Sequence, residues 1–259
     1  MSKDSREQRR AQARAQREAA ERAAAQAAQR RKRLQQLGGV VVAAVVVVVA
    51  VVLIAGGGGS DDNAATDPTA TVNATAEIQE QLDGIPQDGF TLGDPDAPIT
   101  ITEFGDLQCP ACANFANTLM PRIVNDWVRT GKARFQYRHF AFLGEDSTRL
   151  AQMALALAEQ DRMFDFIELV YANQGAENSG YATDDYLRRI AGAIPGVDVE
   201  RAMKARESDA VLDRLGEDQA LAQTNGVDST PTFLVGRSGQ TPQKVGASQL
   251  ESALTQLDS

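Results

Sequence analysis

The stretch Ile99-Thr-Ile-Thr-Glu-Phe104-Gly-Asp-Leu-Gln-Cys109-Pro110-Ala111-Cys112 decides the fold. Ile99 and Ile101 alternate with Thr100 and Thr102, the period of a half-buried strand. Pro110 then stands where a helix begins. Its fixed φ suits the first turn, and its missing N–H would have no partner there. The helical stretch it opens runs to about Thr130. Beyond it, Ala133, Phe135 and Tyr137 alternate with Arg134, Gln136 and Arg138. Residues 133–139 therefore read as a second strand, with His139 ending it as a polar surface residue. Strand, helix and strand in this order form a βαβ unit with parallel strands.

Downstream, Leu150, Met153, Ala154, Leu157 and Ala158 recur at helical spacing. Helical patterns continue over 164–170, 184–193 and 198–206, with Pro195-Gly196 between the last two. The helical block covers about 147–224. Residues 232–235 return to strand, Val245 falls in a paired strand, and 248–257 form a closing helix. The order βαβ, helical block, ββα gives an α/β, thioredoxin-like fold with a helical insertion, over residues 89–259.

Upstream, composition changes abruptly. The chain has 259 residues and a net charge of −9. Residues 1–33 nevertheless carry eleven Lys/Arg against four Asp/Glu, a basic tail before an acidic body. Residues 37–55 are 19 apolar residues without a charge. As a helix they would span about 30 Å, so 34–55 is expected to be a single transmembrane helix. Arg30, Arg31, Lys32 and Arg33 precede it, and Asp61 and Asp62 follow. The positive-inside rule puts 1–33 in the cytoplasm and the body outside the cell membrane. A cleaved signal peptide is the alternative; the long basic region and the lack of a clear A-x-A site stand against it. Residues 56–88, rich in Gly, Asp, Asn, Thr and Ala, have a linker composition. The Gly56–Gly59 run is not a phosphate loop, because no Lys-Ser/Thr follows it. Nothing points to nucleic acid.

The two cysteines form one C-x-x-C on a first helical turn, where residues three apart share a face. A disulfide there ties no distant parts together, so it is a poor staple and a good reactive group. Free N–H groups and the helix dipole favour an anion at Cys109. A thiolate stabilised in this way makes the disulfide more oxidising. Cys112, deeper in the helix, is expected to be the resolving thiol. Ala111 offers no side-chain hydrogen bond. Two Cys and one His cannot supply the four ligands of an intrachain zinc site. No metal or other cofactor is expected.

The run 102–112 resembles the DsbA-like thioredoxin family in its E-F-x-x-x-x-C-P-x-C pattern. Gly226-Val-Asp-Ser-Thr230-Pro231-Thr-Phe-Leu-Val-Gly236 resembles the family's second signature. The resemblance covers about 89–259. It implies a thiol:disulfide oxidoreductase with Cys109 and Cys112 as the redox pair. It also implies a cis Thr230-Pro231 peptide, which would leave the Thr230 backbone free to pair with an incoming peptide. Thr230, Pro231, Pro110 and Ala111 are the expected substrate-binding residues. Glu103 matches the family's buried acid, a carboxyl with a raised pKa that could relay the proton of Cys112; a partly exposed strand carboxylate is the alternative.

The expected function is a dithiol oxidase introducing disulfides into exported proteins. The resemblance implies reoxidation by a membrane quinone-linked partner, DsbB-like or VKOR-like. A reductase or isomerase on the same scaffold is one alternative. A non-catalytic extracytoplasmic chaperone or interaction module is another, against which the intact Cys109, Cys112 and Pro231 stand.

Overall fold

A computed structural model describes residues 71–259. The basic tail, the apolar segment 34–55 and residues 56–70 of the expected linker lie outside the described residues. Among the described residues no helix is long and apolar enough to cross a membrane.

A mixed six-stranded sheet forms the centre, in the order β1-β2-β4-β3-β5-β6. The middle strands are β3 (Ile99–Gly105), β4 (Ala133–His139) and β5 (Thr232–Arg237), with β6 (Gln243–Gly246) on one edge and β1 (Gln87–Asp88) and β2 (Thr91–Leu92) on the other. β3 runs parallel to β4 and antiparallel to β5. The parallel pair is joined by the expected crossover, which is broken into pieces. Helix α2 (Pro110–Thr118) ends at Leu119, α3 (Met120–Ile123) restarts the chain, and a π-helical turn covers Val124–Val128. Pro121 lies in the first turn of α3, where a proline is tolerated, and its ring bars the uninterrupted helix from running through.

Five helices fill the insertion: α4 (Glu145–Ala158), α5 (Met163–Ala172), α6 (Asp184–Gly192), α7 (Val199–Ala205) and α8 (Asp209–Thr224). Thr183, Asp198 and Ser208 cap α6, α7 and α8, each accepting a backbone N–H three residues on. The last helix, α9 (Ala247–Asp258), packs on β5 and β6.

Two sequence expectations change. The folded body begins before residue 89: helix α1 (Thr75–Leu82) lies within the expected linker, and its Ile78 and Leu82 join the core together with Ile85. Three apolar residues among polar ones give a weak pattern, yet at i, i+4 and i+7 they make a seam. His139 does end β4, but it is buried, not on the surface. The strand alternates strictly, burying 133, 135, 137 and 139, so the period itself turns the histidine inward.

Candidate redox site

The site lies where β3 hands over to α2. Cys109 is the N-cap residue, in an extended conformation, and its carbonyl accepts the Ala113 N–H at 3.1 Å. Pro110 occupies the first helical turn and, with Ala111, is exposed. Both cysteines are free thiols; Cys109 is 7% exposed and Cys112 fully buried. Across the site, the Thr230–Pro231 peptide is cis, and the Cys109 thiol donates to the Thr230 carbonyl at 3.5 Å. The structure thus brings Cys109, Cys112, Thr230, Pro231, Pro110 and Ala111 to one place.

The two sulfurs are driven apart chemically. The Cys112 thiol hydrogen-bonds to the Cys109 sulfur and is the largest cause of a Cys109 pKa lowered to about 6; burial opposes it, while Thr230 and the backbone amides of Cys112 and Ala111 assist. The Thr230 hydroxyl is buried and has no other partner, so its proton is available to the thiolate. Cys112 moves the other way. Burial, its bond to Cys109 and the charges of Glu103 and Cys109 push its pKa well up.

Glu103, on β3, is 3% exposed and its Oε1 has no hydrogen-bond partner. Burial pushes its pKa well up, with further pushes from Glu168 and the Cys109 charge. Burial thus favours the protonated form of Glu103, which acts electrostatically on Cys112.

The loop that holds Cys109 is fastened by residues that no expectation from the sequence included. The Asp106 carboxylate accepts the Gln108 N–H at 2.8 Å and the Ser147 hydroxyl at 2.6 Å through Oδ1. Its Oδ2 accepts the N–H groups of Phe142 at 2.9 Å and Leu143 at 3.1 Å. The fully buried Gln108 donates to Ser147 and accepts the Asn178 N–H. Gln174 donates to the carbonyls of Leu107 and Cys109. The Asp106-to-Gln108 bond is an Asx-turn, a signal that Asp followed two residues later by a turn could have given. Gln174 and Asn178 sit in the insertion, and no local pattern announces them.

His139 lies on the same strand end. Its backbone N–H donates to the buried Asp218 at 3.0 Å, its ring stacks edge-on against Tyr137, and burial lowers its pKa to about 3. It stays neutral and brings no charge to the cysteines.

The sequence model of the thioredoxin family matches residues 86–254. The chain is 32% identical to a probable disulfide bond formation protein D of Bacillus cereus over 148 residues, 56% of this chain and 68% of that one. It is 29% identical to the disulfide bond formation protein D of Bacillus subtilis over 147 residues, 56% of this chain and 66% of that one. In structure it resembles oxidised BdbD of Bacillus subtilis, with a TM-score of 0.59 at 22% identity, covering 68% of this chain and 98% of that one. Chlamydia trachomatis DsbA gives a TM-score of 0.58 at 25% identity over 65% and 91%. The C-P-x-C at a helix start, the opposed thiols and these relatives agree: the chain belongs to the DsbA-like thiol:disulfide oxidoreductases of the thioredoxin family.

Proposed function

We propose that the protein is an extracytoplasmic dithiol oxidase that puts disulfides into exported proteins through Cys109 and Cys112. The observation that carries this is the division of labour between the sulfurs. Cys109 is stable as a thiolate and Cys112 as a thiol. The reduced form is thereby favoured, and a protein with a favoured reduced form oxidises others.

A substrate thiolate attacks Cys109 Sγ, the Cys109–Cys112 bond breaks, and Cys112 leaves with the electron pair. Glu103 gives its proton to the Cys112 sulfur. A second substrate thiolate then attacks the substrate sulfur of the mixed disulfide, and Cys109 leaves as a thiolate. The substrate gains a disulfide and the protein holds two more electrons. A pKa of about 6 leaves Cys109 about ten to one ionised at pH 7, which makes it a good leaving group. Thr230 and Pro231, with the exposed Pro110 and Ala111, flank the sulfur where the substrate peptide arrives.

The proposed setting is the outer face of the cell membrane, with 34–55 as anchor and 1–33 inside. The support is the charge asymmetry around the apolar run. A DsbB-like or VKOR-like quinone-linked membrane protein would take the electrons. The family named above supports that class of partner. The test is the oxidation of a reduced two-cysteine peptide by the oxidised full chain in detergent. Wild type should form the peptide disulfide stoichiometrically, and Cys109→Ser should not. A reduction potential close to that of thioredoxin would instead assign a reductase.

A further inference from the structure

We propose that Tyr137 and Tyr171 are positioning residues for the redox pair. Their linked hydroxyls form a strut from β4 through α5 to the Asp106 carbonyl, and the strut holds the turn that presents Cys109. This rests on the oxidase reading above and adds to it two residues that act through the backbone.

The Tyr171 hydroxyl donates to the Asp106 carbonyl at 3.3 Å. A hydroxyl has one proton to donate. In the 2.6 Å contact between the two phenols, Tyr137 is therefore the donor and Tyr171 the acceptor. The bonds run one way, from Tyr137 to Tyr171 to Asp106. The same Asp106 carbonyl accepts the Cys109 N–H at 2.9 Å, closing the turn 106–109. One oxygen thus joins the reactive cysteine to the end of the strut. Both phenols are buried, and burial pushes their pKa values well up, so both keep their protons.

Two further features fit the strut to this place. A Cβ at Gly105 would collide with the Tyr137 hydroxyl. Gly105 is not among the glycines with positive φ, so the close approach of the phenol, and not the backbone conformation, is what requires glycine directly before Asp106. On the other side, the Tyr171 carbonyl accepts the Asn117 Nδ2 at 3.3 Å. Asn117 lies on α2. Tyr171 therefore grips the chain both before Cys109 and after Cys112. The next carbonyl of the turn, that of Leu107, is also held from the insertion, by Gln174 at 2.9 Å and the Tyr181 hydroxyl at 3.5 Å.

Removing the Tyr171 hydroxyl leaves the Asp106 carbonyl with the Cys109 N–H, and leaves the Tyr137 hydroxyl buried without its acceptor. The peptide after Asp106 is then freer to turn, and Cys109 swings with it. The sulfur loses part of its hold on Thr230 and on the amides of Ala111 and Cys112, the groups that help it carry a negative charge.

The test titrates the reduced full chain in detergent by thiolate ultraviolet absorbance and measures its reduction potential against glutathione. Tyr171→Phe keeps the ring and should make Cys109 a weaker acid by about threefold to tenfold. Its reduction potential should move toward that of thioredoxin, because the reduced form is less favoured. Tyr137→Phe should shift Cys109 by about twofold, less than Tyr171→Phe, since Tyr171 still reaches Asp106. The double variant should match Tyr171→Phe, because Tyr137 acts only through Tyr171. Tyr186→Phe is the control for lost stability. It removes a buried hydroxyl that donates to the Asn173 carbonyl at 3.2 Å, so it should lower Tm and leave the Cys109 titration unmoved. A wild-type titration in Tyr171→Phe or in Tyr137→Phe overturns the strut, as does a Tyr186→Phe shift equal to that of Tyr171→Phe. The titration reads the reduced chain alone, so its failure leaves the oxidase reading standing. Failure of that reading shows separately, as peptide oxidation by Cys109→Ser.

Discussion

The Cys109 sulfur lies 3.5 Å from the Thr230 carbonyl oxygen, a contact between residues 121 apart in the chain. The hydroxyl of the same threonine is buried with nothing else to bond. Thr230→Val keeps the shape and removes that donor. A hydrogen bond to a charged group is worth about 1.5–3 kcal/mol, and one pKa unit corresponds to about 1.4 kcal/mol. The Cys109 pKa should rise by about one unit, read from thiolate absorbance at 240 nm. An unchanged titration would show that the backbone amides and Cys112 suffice.

The lowered Cys109 pKa also sets a pH dependence of stability. The folded pKa of about 6 lies below the unfolded thiol value, so the contribution is present above about pH 8.5 and is lost as pH falls through 6. Only the reduced protein has this group, whereas the displaced pKa values of Glu168, Asp218 and His139 are shared by both redox forms and largely cancel; the push of the Cys109 charge on the buried Glu103 has the opposite sign and reduces the gain. The stability of reduced over oxidised protein should therefore grow from pH 5 to pH 8.5 by a few kcal/mol at most, on the order of 1.4 kcal/mol for each pH unit between the folded and unfolded values. Urea unfolding of both forms at several pH values measures it. A gap that narrows with rising pH contradicts the assignment.

Asp106→Ala strips the acceptor from four donors: the N–H groups of Gln108, Phe142 and Leu143 and the Ser147 hydroxyl. Each donor left buried without a partner costs about 1–3 kcal/mol. A loss of at least about 3 kcal/mol is expected in urea unfolding, with the loop around Cys109 losing amide-exchange protection first. Loss spread evenly over the sheet would argue against a local role.

Asp218 is fully buried, accepts the His139 N–H and pairs with Arg138 at 3.1 Å and Arg214 at 3.4 Å. Those arginines lie over Phe90, 3.8 and 4.0 Å from its ring. Asp218→Ala leaves the Arg138 guanidinium and the His139 amide without this acceptor, and Arg214 with Glu217 alone. Breaking a buried pair in this way costs about 3–5 kcal/mol. A fall in Tm of less than about 3 °C would show the cluster to be slack.

A chain cut to start at residue 89 loses Ile78, Leu82 and Ile85 from the core. Burying one such side chain contributes about 1.5–3 kcal/mol. It should be less stable than one starting at 71 by about 3 kcal/mol or more in matched urea melts. Equal midpoints would place the domain start at 89 after all.

Much of this was legible in the sequence because it is written locally. Alternation gave β3 and β4, Pro110 gave the helix start, and two thiols three apart gave the redox pair. The misses are of two kinds. Helix α1 was hidden by a polar composition in which only three residues face the core. The fastening of the redox loop was hidden because it is assembled from distant segments: Gln174 reaches Cys109 from the insertion. His139 is the exception, a local miss, since strict alternation already pointed it inward and its polarity was given too much weight.

Gln108, Gln174, Ser147 and Asn178 join the redox loop to the helical insertion. The insertion is therefore scaffolding for the reactive turn as well as a cover over the sheet. A designer who excised it to obtain a minimal thioredoxin would keep the cysteines and lose the brace that orients them. Grafting this redox motif onto another thioredoxin core would likewise have to carry residues about seventy positions downstream.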